Sequence, residues 1–399
     1  MTPEETFFLK QKEMALNALL EITQAINTHI TEENLYKIYN FTLRGNLHIQ
    51  KMALWVNDFG KWSYKAGFGS KIKVENDCFE NIYQQHTSQV SLVQGSVFKD
   101  FFSDFEIVIP IFKQEQAFAF IFVTGNQIDA NFIQTLTSIL IVAIENRKLA
   151  QKQLEQEVFR KELDIATQVQ QRLIPKNLPQ TPTLEVAALY MPHSLVGGDY
   201  YDFVELENGN FLFCIADVSG KGIAAAMMMA NFQASLRTLL RQTQNLRVIV
   251  NELNYLVLQN AQGENFITLF IAHYEVATKK LSYINAGHNP PFLLQNKQLS
   301  KLESGTTVLG IFEPLPFITE NSLLIEHHSF IFAYTDGLNE TLNPQEEQFG
   351  EERIANLLQK NNFTTLENWH QAILQELLHF KKNLHFPDDI TLLSCKITP

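Results

Sequence analysis

The spacing of apolar residues along the first 150 positions predicts an alternation of helices and strands. Apolar residues recur at helical spacing over residues 6–28, and Thr31 with its two following glutamates predicts a second helix that runs through Leu43. Two pairs of apolar stretches, each typical of a β-hairpin, come next in the chain: 51–56 with 62–66, and 105–112 with 117–123. A long helix begins near Asp129. This order of elements is typical of an α/β sensor module.

The helix that begins near Asp129 meets no glycine or proline until Pro175, so the helical pattern continues beyond the first domain. Its apolar stripe consists of Leu140, Ile144, Leu154, Val158, Ile165, Val169 and Leu173. Such a stripe predicts a parallel two-helix seam between two copies of the chain. Polar residues, among them Gln151 and Lys161, interrupt the stripe and would weaken the seam. The alternative is a helix that lies on the surface of its own domain.

Prolines between positions 175 and 182 end this helix, and a new block of strands begins at Thr183. A chain of 399 residues, of which 45% are hydrophobic, can bury two separate cores. We therefore divide it into a sensor domain (1–142), a helical, coiled-coil linker (143–176) and a C-terminal domain (177–399).

Composition excludes several functional classes. The formal net charge is −12 and no dense run of Lys or Arg occurs, which argues against a nucleic-acid-binding protein. The most apolar stretch, 132–144, is too short and too polar to cross a bilayer, and the N-terminus lacks a signal peptide, so we expect a cytoplasmic protein without a membrane partner. Cys78, Cys214 and Cys395 lie far apart and are expected to be reduced packing residues.

Acidic residues flank strands of the second half, beside glycine or turn residues. They occur in four motifs: VGGDYYDF with Asp199, ADVSGKG with Asp217, YTDGLNE with Asp336, and DDITLL with Asp388 and Asp389. One Asp-Gly pair alone is usually a turn. Four such motifs whose carboxylates converge at one sheet edge would repel one another, unless hard cations such as Mg²⁺ or Mn²⁺ neutralise them. No His-rich or Cys-rich set competes for a metal.

Two such ions about 3.5–4 Å apart can share a water, lower its pKa and direct it at phosphorus. No nucleophilic side chain is then required, and the sequence contains neither a GxSxG elbow nor a Cys–Arg phosphate loop.

The same motifs, with NAGHNPP (285–291) and FGEERI (349–354), resemble the PPM (protein phosphatase 2C-like) superfamily over about residues 164–395. They are most similar to the branch typified by stage II sporulation protein E and the phosphatases that control sigma-factor regulators. The resemblance implies an αββα sandwich and two Mn²⁺ or Mg²⁺ ions. It implies that Asp217 and Asp336 are the catalytic residues and that they act as metal ligands. The other implied ligands are Asp199, Asp388 and the Val218 carbonyl, and Asp389 is implied to support Asp388. The element order of residues 14–146 resembles the GAF domain family, so the overall class is α+β.

The resemblance further implies hydrolysis of phosphoserine or phosphothreonine on a regulatory protein, such as a STAS-type anti-sigma factor antagonist. We also expect a homodimer and a small ligand for the GAF-like domain. Ser219 occupies the place of a histidine acid in eukaryotic relatives, so turnover is expected to be slow. His288 is interpreted as a residue that fixes a turn. Two alternatives stay open, a non-catalytic phosphoprotein-binding module and a nucleotide cyclase suggested by 197–199, although the Glu-Phe pair of the cyclases is missing.

Overall fold

The computed structural model describes residues 3–28, 30–58, 60–70, 89–113, 116–126, 128–261, 263–360 and 365–398. Cys78 lies outside these ranges. The chain forms two units, Met1–Glu157 and Val158–Pro399. This division falls inside the stretch that we assigned to the linker. Within the described ranges, no helix has the length and apolar character needed to cross a bilayer.

The first unit consists of three α-helices and an antiparallel sheet of five strands in its described residues. Its elements are α1 (Pro3–Asn27), α2 (Glu32–Gly45), β1 (Ile49–Asp58), β2 (Lys61–Phe68), β3 (Ser91–Leu92), β4 (Ile107–Lys113), β5 (Gln116–Gly125) and α3 (Ala130–Leu173), which continues into the second unit. The sheet order is β2-β1-β5-β4-β3. Helix α2 begins as predicted, because the Thr31 hydroxyl accepts a hydrogen bond from the Asn34 N–H at 3.3 Å.

Both faces of this sheet are buried. One face packs on the helices, which contribute the fully buried Ile22, Tyr39 and Leu140 to the core. The opposite face carries an aromatic cluster in which Phe102 and Phe122 stack with ring centroids 3.8 Å apart. Two predicted helices and two predicted hairpins are present, whereas the GAF-like identity of the unit stays a prediction.

The second unit contains two sheets. Its strands are β6 (Leu184–Met191), β7 (Tyr200–Glu205), β8 (Phe211–Val218), β9 (Ile267–Glu275), β10 (Lys280–Ala286), β11 (Phe292–Gln295), β12 (Gln298–Lys301), β13 (Gly305–Thr306), β14 (Asn321–Leu324), β15 (Ser329–Tyr334) and β16 (Ile390–Ile397). One sheet has the order β13-β10-β9-β8-β7, with β14 paired to β10. The other has the order β12-β11-β15-β16-β6.

Helices cover the outer face of each sheet. They are α4 (Ile223–Leu240), α5 (Leu246–Ala261), the short α6 (Asp336–Asn339), α7 (Glu351–Lys360) and α8 (Leu366–Lys381). Met229 of α4 and Leu269 of β9 belong to one core cluster, and Phe213 of β8 and Leu393 of β16 belong to a second cluster between the sheets. Trp369 of α8 packs on Phe332 of β15, with ring centroids 5.2 Å apart. The layers therefore follow the order helix, sheet, sheet, helix. Burial of these apolar side chains, at about 1.5–3 kcal/mol for each large one, holds the sandwich together.

Candidate metal and active site

Strand pairing brings the predicted acidic residues to one end of the sandwich. In the antiparallel pair β7 and β8, the start of β7 lies beside the end of β8, so Asp199 and Asp217 become neighbours. In the antiparallel pair β15 and β16, Asp336 follows the end of one strand and Asp388 precedes the start of the other. The two pairs belong to different sheets, and the acidic site lies where these sheets meet.

Asp199 links the two sheets. Its side chain is 1% exposed, and its Oδ2 accepts hydrogen bonds from the hydroxyl groups of Thr335 at 2.7 Å and Thr391 at 2.6 Å. Burial raises the pKa of Asp199 well above its usual range, the charge of Asp217 raises it further, and the two threonine hydroxyls oppose both effects. Asp199 is therefore held in place by the sheet opposite its own.

Asp217 and Asp336 have strongly raised pKa values. Burial, followed by the charges of Asp336 and Asp388, raises the pKa of Asp217 to about 7. Burial, followed by the charges of Asp388 and Glu340, raises the pKa of Asp336 to about 6, while Lys221 lowers it. The raised pKa values show that the ionised carboxylates of this site repel one another, and that nearby groups of the protein do not fully compensate their negative charge.

Asp388 and Asp389 make different contacts. Asp389 accepts a hydrogen bond at each carboxylate oxygen, from the His193 N–H and from the Gly198 N–H, both at 2.7 Å. It therefore fixes the backbone that leads into β7. Asp388 is 35% exposed, and its Oδ2 lies 2.8 Å from the Lys221 ammonium.

Two glycines of the VGGD motif make room at the site. A Cβ atom on Gly198 would lie 2.8 Å from the Val218 carbonyl oxygen, which the glycine therefore leaves uncovered. A Cβ atom on Gly197 would lie 2.1 Å from Asp389 Oδ2 and could not be accommodated without a shift. Neither position tolerates a side chain in the present geometry.

The donor set fits a hard divalent cation in its chemistry. It consists of carboxylate oxygens and one uncovered carbonyl oxygen, the ligands that Mg²⁺ and Mn²⁺ prefer. The Lys221 ammonium already forms an ion pair with Asp388. Among the described residues, however, no three His, Cys, Asp or Glu side chains form a group that could hold a metal ion as they now lie. The acids are thus neighbours that an ion would still have to draw together.

Ser219 connects the loop after β8 to the start of β9. Its backbone N–H donates to the Phe266 carbonyl at 2.9 Å, and its hydroxyl oxygen accepts from the Phe266 N–H at 2.8 Å. The hydroxyl therefore has a defined role in holding the loop.

His288 is a buried turn residue in the structure. Its backbone N–H donates to the Asn285 side chain at 2.8 Å, and its Nδ1 lies 2.8 Å from the Thr268 hydroxyl. Burial lowers the pKa of His288 to about 4, so the ring is neutral at pH 7. These contacts agree with the interpretation of His288 as a residue that fixes a turn.

The C-terminal end of α3 contacts the acidic site. The Gln170 side chain, 6% exposed, donates to the Gly197 carbonyl at 2.6 Å and accepts from the Gly197 N–H at 3.2 Å. One turn earlier, the Thr167 hydroxyl donates to the Leu195 carbonyl at 2.7 Å. The sequence analysis missed this contact, although Gln170 falls within residues 164–395, over which the chain resembles the phosphatase family.

Comparison with known proteins concerns mainly the second unit. The family model described as Stage II sporulation protein E (SpoIIE) matches residues 207–398, which include Asp217, Asp336 and Asp388. The chain is 30% identical to Phosphoserine phosphatase RsbU of Bacillus subtilis (strain 168) over 241 residues, which are 60% of this chain and 70% of RsbU. It is 29% identical to Protein IcfG of Synechocystis sp. over 286 residues, 64% of this chain.

The chain spans 45% of the length of Protein IcfG. Among solved structures, the SiaA-PP2C domain of Pseudomonas aeruginosa superposes with a TM-score of 0.55 at 18% identity, covering 61% of this chain and 98% of that domain. This similarity shows a shared PP2C-like fold. Taken with the RsbU match and the acidic motifs, it leads to one conclusion: the chain belongs to the stage II sporulation protein E branch of the PP2C-like protein serine/threonine phosphatase family.

Proposed function

We propose that this chain is a metal-dependent protein serine/threonine phosphatase acting on a phosphorylated regulatory protein, a STAS-type anti-sigma factor antagonist. The observation that carries the proposal is the convergence of Asp217, Asp336 and Asp388 where the two sheets meet; burial and like charge raise the pKa values of Asp217 and Asp336 there. The relative RsbU, named a phosphoserine phosphatase, supports the reaction class. Family membership argues against the nucleotide cyclase alternative.

Each residue has a role in this proposal. Asp199, Asp217, Asp336, Asp388 and the Val218 carbonyl would hold Mn²⁺ or Mg²⁺, and the threonine hydroxyls of the opposite sheet would keep Asp199 in place beside Asp217. Two divalent cations, when bound, would polarise the phosphoryl oxygens and activate a water for attack on phosphorus. The strands that carry these side chains are already paired, so binding of the ions would require side chains to move but no rearrangement of the strands.

Among the described residues, neither Ser219 nor His288 is suited to act as a strong general acid for the leaving group. Ser219 occupies the place of the acid, but its hydroxyl oxygen accepts the Phe266 N–H and a serine hydroxyl is a poor acid at neutral pH. His288 is neutral and buried. We therefore expect slow turnover of the phosphoprotein by this enzyme.

A direct test uses the full chain and a STAS-type protein phosphorylated on serine. We expect phosphate release in Mn²⁺ or Mg²⁺ and none in excess EDTA, because the carboxylates alone repel a phosphate group. Phosphate release is measured by a colorimetric assay, with the tyrosine-phosphorylated form of a control protein beside it.

A specific observation favours a second candidate, a module that binds the phosphoprotein without cleaving it. It is the lack, among the described residues, of three metal-binding side chains already drawn together. Stoichiometric binding of the phosphoprotein in Mn²⁺, without phosphate release over hours, would establish this alternative in place of the phosphatase.

The first unit is proposed to control the site through helix α3 of a homodimer. On α3, Thr167 and Gln170 face the catalytic unit, whereas Val158, Ile165 and Val169 are 50%, 62% and 53% exposed. Exposed apolar residues at helical spacing suit pairing with the same helix of a second copy. Gln170 holds Gly197, so a rotation of the paired helices would move the backbone that precedes Asp199.

Ile165→Lys is expected to weaken the dimer at least about tenfold, since burying an isoleucine contributes about 1.5–3 kcal/mol and a charge opposes the pairing. Gln171→Lys, on the exposed polar side of the same helix, is the matched control. Sedimentation velocity of both variants and the unmodified chain measures the effect. A monomeric unmodified chain at micromolar concentration would contradict the dimer, and equal phosphatase rates in both variants would contradict control through the helix.

A further inference from the structure

Lys221 is presented to the acidic site by a tightly specified turn. Gly220 before it has a φ of 93° and Gly222 after it has a φ of 75°, both in the left-handed region that side-chain-bearing residues rarely adopt. Helix α4 begins directly afterwards at Ile223. The turn therefore favours glycine on either side of Lys221, and in this turn the Lys221 side chain reaches the segment that precedes β16.

The Lys221 ammonium makes two contacts with the segment that precedes β16. It lies 2.8 Å from Asp388 Oδ2 and donates a hydrogen bond to the Pro387 carbonyl at 2.5 Å. Its charge also reaches Asp336 and opposes the rise in the pKa of that carboxyl. One cation of the protein itself is therefore already placed on the acidic cluster.

A second cationic side chain of this unit, on α4, is engaged elsewhere. Arg237 of α4 forms a two-point ion pair with the fully buried Asp202, at 2.7 and 2.8 Å. The site has five acidic residues: Asp199, Asp217, Asp336, Asp388 and Asp389. Among the described residues, the one ion pair to any of them is that between Lys221 and Asp388. Lys221 is 52% exposed, so it can leave Asp388 for solvent at little cost.

We propose that Lys221 is an intramolecular competitor for the divalent cation at Asp388. The inference rests on the proposed metal site and specifies how that site is filled. An ammonium and a divalent ion cannot both lie against the same carboxylate oxygen without strong repulsion. Ion binding therefore requires the Lys221–Asp388 pair to open, and the pair keeps the affinity of the site for metal lower than its carboxylates alone would give.

Lys221→Met is expected to tighten Mn²⁺ binding by roughly three- to tenfold, the range for removing an exposed ion pair and its residual repulsion of the ion. Lys221→Arg keeps the charge and should bind Mn²⁺ like the unmodified chain. Lys396→Met is the matched control. Lys396 pairs with Glu185 at 3.6 Å at the far end of β16, roughly 25 Å from Asp388 by the rise of a strand.

The measurement is a Mn²⁺ titration of the metal-free full chain, followed by the electron paramagnetic resonance signal of free Mn²⁺. Circular dichroism melting in EDTA identifies a variant that has lost its fold, and Lys221→Gln then replaces it. Tighter binding in Lys221→Met with unchanged Lys221→Arg and Lys396→Met supports the inference. Equal or weaker binding in Lys221→Met overturns the inference alone, whereas absence of binding by the unmodified chain overturns the metal site and the inference together.

Discussion

Asp336→Asn is expected to lower Mn²⁺-dependent phosphate release by about a hundredfold or more, a loss of the size seen when one electrostatic group is removed from a catalytic site. Asparagine has the same size but no negative charge, so it binds a divalent cation more weakly. The fold should be retained, because Asp336 follows a completed strand and begins the four-residue helix α6. Initial rates in saturating Mn²⁺ and circular dichroism spectra of both proteins check the expectation.

Glu340→Gln provides the matched control for this substitution. Glu340 lies close enough to raise the pKa of Asp336 by its charge, but it is not among the proposed ligands. Its replacement should therefore leave the rate within a fewfold of the unmodified chain. Full turnover by Asp336→Asn in a metal-replete buffer would contradict the assignment of the site.

Asp217→Asn is expected to stabilise the metal-free protein at pH 8. The folded-state pKa of Asp217 is about 7, above its ordinary value of 3.8. The stability that this group contributes is therefore complete below about pH 4 and is lost as the pH rises through 7. At about 1.4 kcal/mol for each pKa unit, the charged carboxylate costs roughly 2–4 kcal/mol at pH 8, and asparagine removes this cost.

In the presence of metal, Asp217→Asn should make the protein less stable than the unmodified chain. Saturating Mn²⁺ stabilises the unmodified chain by mass action, whereas the variant has lost a ligand and gains less. Melting temperatures at pH 5 and pH 8, in EDTA and in Mn²⁺, give the four values needed for each of the two proteins. A metal-free variant that melts below the unmodified chain at pH 8 would show that the charge of Asp217 is already neutralised by the protein.

The sequence predicted the strands that deliver the acids because each is a local apolar stretch that ends in a polar turn. The segment before Asp217 and the segment before Asp336 carry this pattern without interruption, and both are strands in the structure. Short strands such as β13, with two residues, carry no periodicity and were not predicted.

The contacts within the site depend on pairing between distant segments, which no local pattern records. That Thr335 and Thr391 both donate to Asp199 follows from the meeting of the two sheets. The different contacts of Asp388 and Asp389 could not be derived from two adjacent identical residues. Gln170 looked like any polar residue of an exposed helix until its contact with Gly197 was seen.

The position of Asp199 restricts how this site could be transplanted or redesigned. A single oxygen, Oδ2, receives both threonine hydroxyls from the sheet across the interface. A designer who moved the acidic motifs into another scaffold would also have to copy the opposing sheet and its threonines, or the carboxylate would lack its anchor. The smallest structural unit that could be transferred with a functional site is therefore a pair of facing sheets, and a single strand-loop segment would not suffice.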